Sequence, residues 1–165
     1  MQIKERIEQF LSEEKFAVVG ASIDRHKYGN KVLRCYQMNG YDVVPVNPRE
    51  KSIEGLVAVA SIANLPDDVK SISVITPPHV TEIVVEAAIS KGIKNIWIQP
   101  GAESEAAVRR CNGAGINVIA DGSCILVVLG YRDHLIPLRK ILRLLAFFSV
   151  AHSVVTAARC NSYDR

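Results

Sequence analysis

Chemistry in this chain would begin at Gly20-Ala21-Ser22, directly after the apolar run Phe16 to Val19. Gly20 and Ala21 let a ligand come close to the backbone, and Ser22 offers a hydroxyl. Arg25, His26 and Lys27 add positive charge, Tyr28 and Gly29 follow, and a helical pattern runs on to Asn39. The free N–H groups that open such a helix attract anions. Strand, loop and helix in this order open a nucleotide-binding βαβ unit. The loop is not G-x-G-x-x-G, because the next glycine after Gly20 is Gly29, and no Gly-Lys-Ser/Thr follows to make a P-loop. It suits a phosphorylated nucleotide held otherwise than NAD usually is.

A second cluster, Asn47-Pro48-Arg49, ends the next apolar run. An NAD site needs a carboxylate there to accept from the ribose 2′-hydroxyl. Here the carboxylate is missing and a cation is present. That pattern favours a ligand with an additional ribose phosphate: coenzyme A, with its 3′-phosphate, or alternatively NADP. Arginine grips phosphate through two N–H groups and lysine acts as a point charge. Each basic residue alone reads equally well as a solvated surface charge; together, at adjacent loops, they point to phosphate. Two further clusters, Thr76-Pro77-Pro78 and Gln99-Pro100-Gly101, also follow apolar runs. As ordinary turn residues they would need no ligand.

The elements that must position these clusters alternate. Ile3, Ile7, Phe10 and Leu11 predict an amphipathic helix over 2–11 at the domain edge. Strands are predicted at 15–20, 42–46, 71–75, 95–98 and 117–120. Helices are predicted at 29–39, with Val32, Leu33 and Tyr36 inward, at 79–91, and at 104–112, where Ser104 caps. Val80, Ile83, Val84, Ala87 and Ala88 form the expected apolar face of the 79–91 helix. Residues between 49 and 71 read as a connection with one helical turn near Ser61–Leu65. The fold class is therefore α/β: a doubly wound parallel sheet, Rossmann-like, in three α/β/α layers. Ligands of such sheets bind at the carboxyl ends of the strands, where all four clusters sit.

Composition narrows the classes. At 48% apolar residues the 165-residue chain can bury a core and is not disordered. A net charge of +3 without any Lys/Arg run gives no nucleic-acid surface. Cys35, Cys111, Cys124 and Cys160 contain no C-x-x-C pair, so neither a disulfide framework nor a metal site is expected, and the cytoplasm is the expected compartment. The charges near the N-terminus are mixed, which fits neither a signal peptide nor a basic membrane-surface helix. Leu135 to Ala158 is strongly apolar, but its uncharged part, Leu144 to Ala158, has fifteen residues, short of the ~20 that span a bilayer. The reading is one domain over 1–134 and an apolar extension over 135–165. The extension would be a helix on the core or at a homo-oligomer interface, with an interfacial anchor or an unstructured tail as alternatives.

Val19-Gly20-Ala21-Ser22, Lys27-Tyr28-Gly29, Pro45-Val46-Asn47-Pro48, Thr76-Pro77-Pro78 and Trp97-Ile98-Gln99-Pro100-Gly101 together resemble the CoA-binding domain family over roughly residues 13–130. This is the Rossmann-like domain found at the N-terminus of the succinyl-CoA synthetase α subunit and as small stand-alone proteins. The resemblance implies that the first loop holds the CoA diphosphate. Asn47, Pro48 and Arg49 would lie near the adenosine 3′-phosphate. The Thr76-Pro77-Pro78 and Gln99-Pro100-Gly101 loops would flank the adenine or the pantetheine arm. Stand-alone bacterial members tend to carry Asp-Arg-Cys and then an acidic residue after the last strand. Here Asp121-Gly122-Ser123-Cys124 runs into apolar Ile125 to Leu129, so no family role is carried over to Cys124, which reads first as a buried, inert thiol and alternatively as a thiol near the ligand end.

Synthetase-like enzymes use a phosphorylated histidine on a second domain and a partner subunit. His26, His79, His134 and His152 are scattered, and no catalytic grouping is readable. The expectation is thus a module that binds CoA or acyl-CoA without complete catalytic apparatus, alone or with an enzyme partner. An NADP-dependent oxidoreductase or sensor, and a ligand-free interaction module, are the alternatives. Gly20→Val is expected to fold but not to bind.

Overall fold

The computed structural model describes residues 2–132, so the expected extension over 135–165, with His134 and His152, lies outside the described residues. The elements in chain order are α1 (Ile3–Leu11), β1 (Lys15–Val19), α2 (Tyr28–Met38), β2 (Asp42–Val46), β3 (Ser52–Ile53), β4 (Leu56–Val57), a 3-10 turn (Ile62–Asn64), β5 (Ser71–Val74), α3 (Pro78–Lys91), β6 (Asn95–Ile98), α4 (Glu105–Gly113), β7 (Asn117–Ile119) and α5 (Ile125–Val128). The five predicted strands form one parallel sheet in the order β2-β1-β5-β6-β7. The chain steps from β1 to β2 on one side and returns through β5 on the other. Strand order therefore reverses between β1 and β5, the crevice where doubly wound sheets hold ligands. Val19 pairs with both Val46 and Val74, which sets Gly20, Asn47 and Ile75 level on one rim.

Both faces of the sheet are covered, so its strands are mostly apolar, with Ser71, Ser73, Asn95 and Asn117 the buried polar exceptions. Ala17, Val19, Ile72 and Val74 pack with Val85, Ala88, Ala107 and Cys111 from α3 and α4. Phe16, Val18, Trp97 and Ile119 pack on the other face with Phe10, Val32, Leu33 and Tyr36 from α1 and α2, and with Ile125. Phe16 stacks on Tyr36 at 4.7 Å, and Phe10 meets the edge of Trp97 at 5.3 Å. Helix α1 therefore packs over β6 and the edge strand β7. Arg6 donates to the Val118 carbonyl at 2.8 Å, and Asn117 Nδ2 donates to the Arg6 carbonyl at 2.9 Å.

Two expectations need correcting. Ile83 is 65% exposed, and Ala87 also points outward, while Val85 is buried. Helix α3 carries apolar residues on several sides, so periodicity alone does not orient it. The connection between 49 and 71 also holds an unanticipated hairpin of β3 and β4, with Ser52 opposite Val57 and Ile53 opposite Leu56. Among the described residues, no helix is long and apolar enough to cross a membrane.

Candidate functional site

Gly20, Asn47, Thr76 and Gln99 follow β1, β2, β5 and β6, so the structure brings all four clusters to one rim. Gly20 has φ +89, and its N–H donates to the Val46 carbonyl at 3.2 Å. A Cβ at Gly20 would run into the Ile75 carbonyl, and one at Gly29 into the Gly20 carbonyl. These glycines let β1, β5 and the start of α2 touch backbone to backbone. Gly20→Val would therefore strain the fold itself, against the expectation of a variant that loses binding alone.

Polar side chains then stitch the loops. Asn47 Nδ2 donates to the Ala21 carbonyl at 2.7 Å, and Asn47 Oδ1 accepts from the Arg49 N–H at 2.8 Å. Asn47 is thus committed to tying the second loop to the first, while Pro48 and Arg49 are exposed. Ser22 Oγ accepts from the Asp24 N–H at 3.1 Å, and Asp24 Oδ1 from the His26 N–H at 2.9 Å, which curls the exposed segment carrying Arg25 and Lys27. Thr76 Oγ1 meets Thr81 Oγ1 at 2.9 Å. Pro77 and Pro78 lead into α3 and are exposed. Gly101, with φ +89, gives its N–H to Glu103 Oε2 at 2.6 Å.

Three residues of the site were not among the candidates. Asn30 is fully buried, and its Nδ2 donates to the Ser22 carbonyl at 2.8 Å and to Glu54 Oε1 at 3.0 Å. Arg34 Nε donates to Asn30 Oδ1 at 2.9 Å. Glu54, at the tip of the β3–β4 hairpin, also pairs with Arg25 Nε at 3.2 Å. The sequence signal was there: Asn30 and Arg34, four apart, interrupt an otherwise inward helix face.

On the β6 side of the rim, Tyr28, Gln99 and Cys124 meet. Tyr28 Oη lies 2.6 Å from Cys124 Sγ and 3.2 Å from Gln99 Oε1. Gln99 is fully buried; its Oε1 also accepts from the Ile125 N–H at 3.0 Å, and its Nε2 has no partner among the described residues. Burial, and then the contact with Cys124, push the Tyr28 hydroxyl well above its usual range, so it remains a donor at neutral pH. Cys124 is half-buried and hydrogen-bonded at the rim, so of its two readings the structure favours the thiol at the ligand end over the buried one. Trp97 Nε1 donates to the Ser123 carbonyl at 2.9 Å, fixing the segment before Cys124. The rim thus presents cations and N–H groups at its β1–β2 end, and a thiol beside a hydroxyl at its β6–β7 end. Tyr28 links them, with its backbone opening α2 and its hydroxyl at Cys124.

The family model described as "CoA binding domain" matches residues 14–130. The alpha subunit of acetate–CoA ligase (ADP-forming) II from Pyrococcus furiosus is 29% identical over 93 residues, which are 56% of this chain and 20% of that subunit. An uncharacterized Bacillus subtilis protein, YneT, is 29% identical over 125 residues, 75% of this chain and 92% of that protein. Among solved structures, a conserved hypothetical protein from Pyrococcus furiosus superposes with a TM-score of 0.67 at 43% identity, covering 70% of this chain and 98% of that one.

Proposed function

Because the chain belongs to the CoA-binding domain family, we propose that it binds coenzyme A, free or acylated, across the carboxyl rim of its sheet. The observation that carries this reading is the contact between Asn47 Nδ2 and the Ala21 carbonyl, which sets two cation-bearing loops side by side at the switch point. In this reading the diphosphate lies on Gly20-Ala21-Ser22, beside Arg25 and Lys27. The 3′-phosphate meets Arg49 next to Asn47 and Pro48. The pantetheine arm runs past Thr76, Pro77 and Pro78 towards Gln99, Gly101 and Tyr28. The donor set fits such a ligand: hydroxyl, backbone N–H and cations, with an amide rather than a carboxylate at the end of β2. The chain holds the ligand, and a partner protein or subunit supplies any transfer chemistry, in a reducing cytoplasm where its cysteines stay as thiols.

NADP, with its own ribose phosphate, draws on the same Arg49. A thermal-shift panel of CoA, acetyl-CoA, NADP and NAD separates the readings. At 100 times its dissociation constant a ligand adds ~2.7 kcal/mol of stability. Stabilisation by CoA and acetyl-CoA is the expected result. Stabilisation by NADP alone would replace the reading, and a flat panel would leave an interaction module.

A further inference from the structure

The tip of the β3–β4 hairpin breaks a local rule. Two residues, Glu54 and Gly55, join the paired positions Ile53 and Leu56. Both have positive φ, 49° and 78°. Such a turn favours Asn, Asp or Gly at its first position, and Glu54 is the one non-glycine residue with positive φ among the described residues. A long carboxylate thus stands where a short side chain would be less strained, and strain of this kind signals a use. The use is visible in the reach. Glu54 Oε1 lies 3.2 Å from Arg25 Nε and 3.0 Å from Asn30 Nδ2. Its backbone carbonyl accepts from Gln37 Nε2 at 3.2 Å, so the hairpin is strapped along α2 at two points. The Arg25 side chain is 63% exposed and that of Glu54 only 20%. A ligand anion can therefore approach the guanidinium from solvent, but it must contend with the carboxylate already there.

We propose that Glu54 is an internal counter-anion at the seat of the ligand's diphosphate, and that it sets affinity and selectivity by competing for Arg25. This rests on the CoA reading above. Each two-pronged edge of a guanidinium takes one anion at a time, and Glu54 stands at the Nε edge of Arg25, so a diphosphate must displace Glu54 to grip that edge. A diphosphate brings enough charge to take it from a single carboxylate, and a ligand without phosphate does not. Glu54 thus makes charge at the first loop a condition for binding, and it occupies the donors when no ligand does.

The test is calorimetric titration of CoA and dephospho-CoA into the full chain, its Glu54→Gln, Glu54→Asp and Arg25→Ala variants, and the Glu54→Gln/Arg25→Ala double variant. Glutamine keeps an acceptor for Asn30 Nδ2 but loses the charge. Aspartate suits the turn but is too short to reach Arg25, so it serves even if the glutamine variant folds poorly. Both single Glu54 variants are expected to bind CoA and dephospho-CoA more tightly by about fivefold. Both ligands should gain alike, because both carry the diphosphate. Arg25→Ala should weaken both and abolish the gain from Glu54→Gln. Unchanged or weaker binding by Glu54 variants that melt like the wild type would make Glu54 a strut and overturn the proposal. So would a gain that persists without Arg25. If neither wild type nor variants give a CoA binding heat, the CoA reading itself fails, and this proposal falls with it.

Discussion

At the amino ends of the strands, Ser71, Asn95 and Asn117 stand in register across β5, β6 and β7 and bond to one another. Asn95 Nδ2 donates to Ser71 Oγ at 2.9 Å, and Asn117 Nδ2 donates to Asn95 Oδ1 at 3.1 Å and to α1. Two cations there are matched, Lys15 with Asp68 at 2.8 Å and Lys91 with Asp67 at 2.7 Å. A surface cleft at the same end is lined by Glu13, Glu14 and Asp42, the wrong sign for phosphate. At the carboxyl ends the amides of Asn30 and Asn47 bond instead to carbonyls of the first loop, and Lys27 and Arg49 stay exposed. Buried amides that bond to one another close an end. Amides that hold loop backbone shape an end and leave its charges for something else.

Gly20→Val is the severest way to break this contrast. A branched side chain at φ +89 facing the Ile75 carbonyl should cost at least ~3 kcal/mol in urea-unfolding stability. Wild-type stability would mean that backbone contact does not shape the rim. Arg49→Ala sharpens the contrast from the ligand side. It should weaken CoA by ~1.5–3 kcal/mol, and dephospho-CoA much less, at nearly unchanged stability. Equal losses in calorimetry would place the 3′-phosphate elsewhere. Asn95→Ala does the opposite, lowering stability by about 1–2 kcal/mol while CoA affinity holds. A loss of affinity there would show that the two ends are coupled.

The gentlest probe moves no atoms. Burial pushes the thiols of Cys35 and Cys111 up, to about 12 and about 11. The thiol form persists below those values, so in the folded protein neither should alkylate at pH 8, and each should begin to react only as pH approaches its own value. Cys124, at the rim, should react before Cys35 and Cys111 in peptide mass mapping. Labelling of Cys35 at the rate of Cys124 would contradict the buried packing around α2.

Much of this was legible in the sequence. Each sheet strand is a mostly apolar run followed within three residues by Gly, Pro or Asn, so five strands and one ligand rim could be read directly. The β3–β4 hairpin could not, because two-residue strands have no period and Glu-Gly is not the usual signal for so tight a turn. Gly20 was read correctly as a close approach, but the approaching group is the Ile75 carbonyl. Glu54 stayed hidden because its partners come together only when the hairpin lies along α2, whereas Asn30 and Arg34, bonded to each other within the helix, left a signal that was passed over. For Cys124 the buried reading was preferred to the ligand-end one because a thiol next to an apolar run gives no hint of the Tyr28 hydroxyl, 96 residues away in sequence.

The hydrogen bond from Trp97 to the Ser123 carbonyl has an optical consequence. Trp97 is the chain's single tryptophan, so all indole fluorescence comes from one place. That indole is fully buried, yet its N–H is anchored one residue from Cys124. Its emission should be blue-shifted, as in a dry interior. A ligand that moves the 121–124 segment, or an adduct on the neighbouring sulfur, would change its intensity without any introduced dye. The rim therefore carries its own reporter, and a stopped-flow trace at a single wavelength can time the arrival of a ligand there.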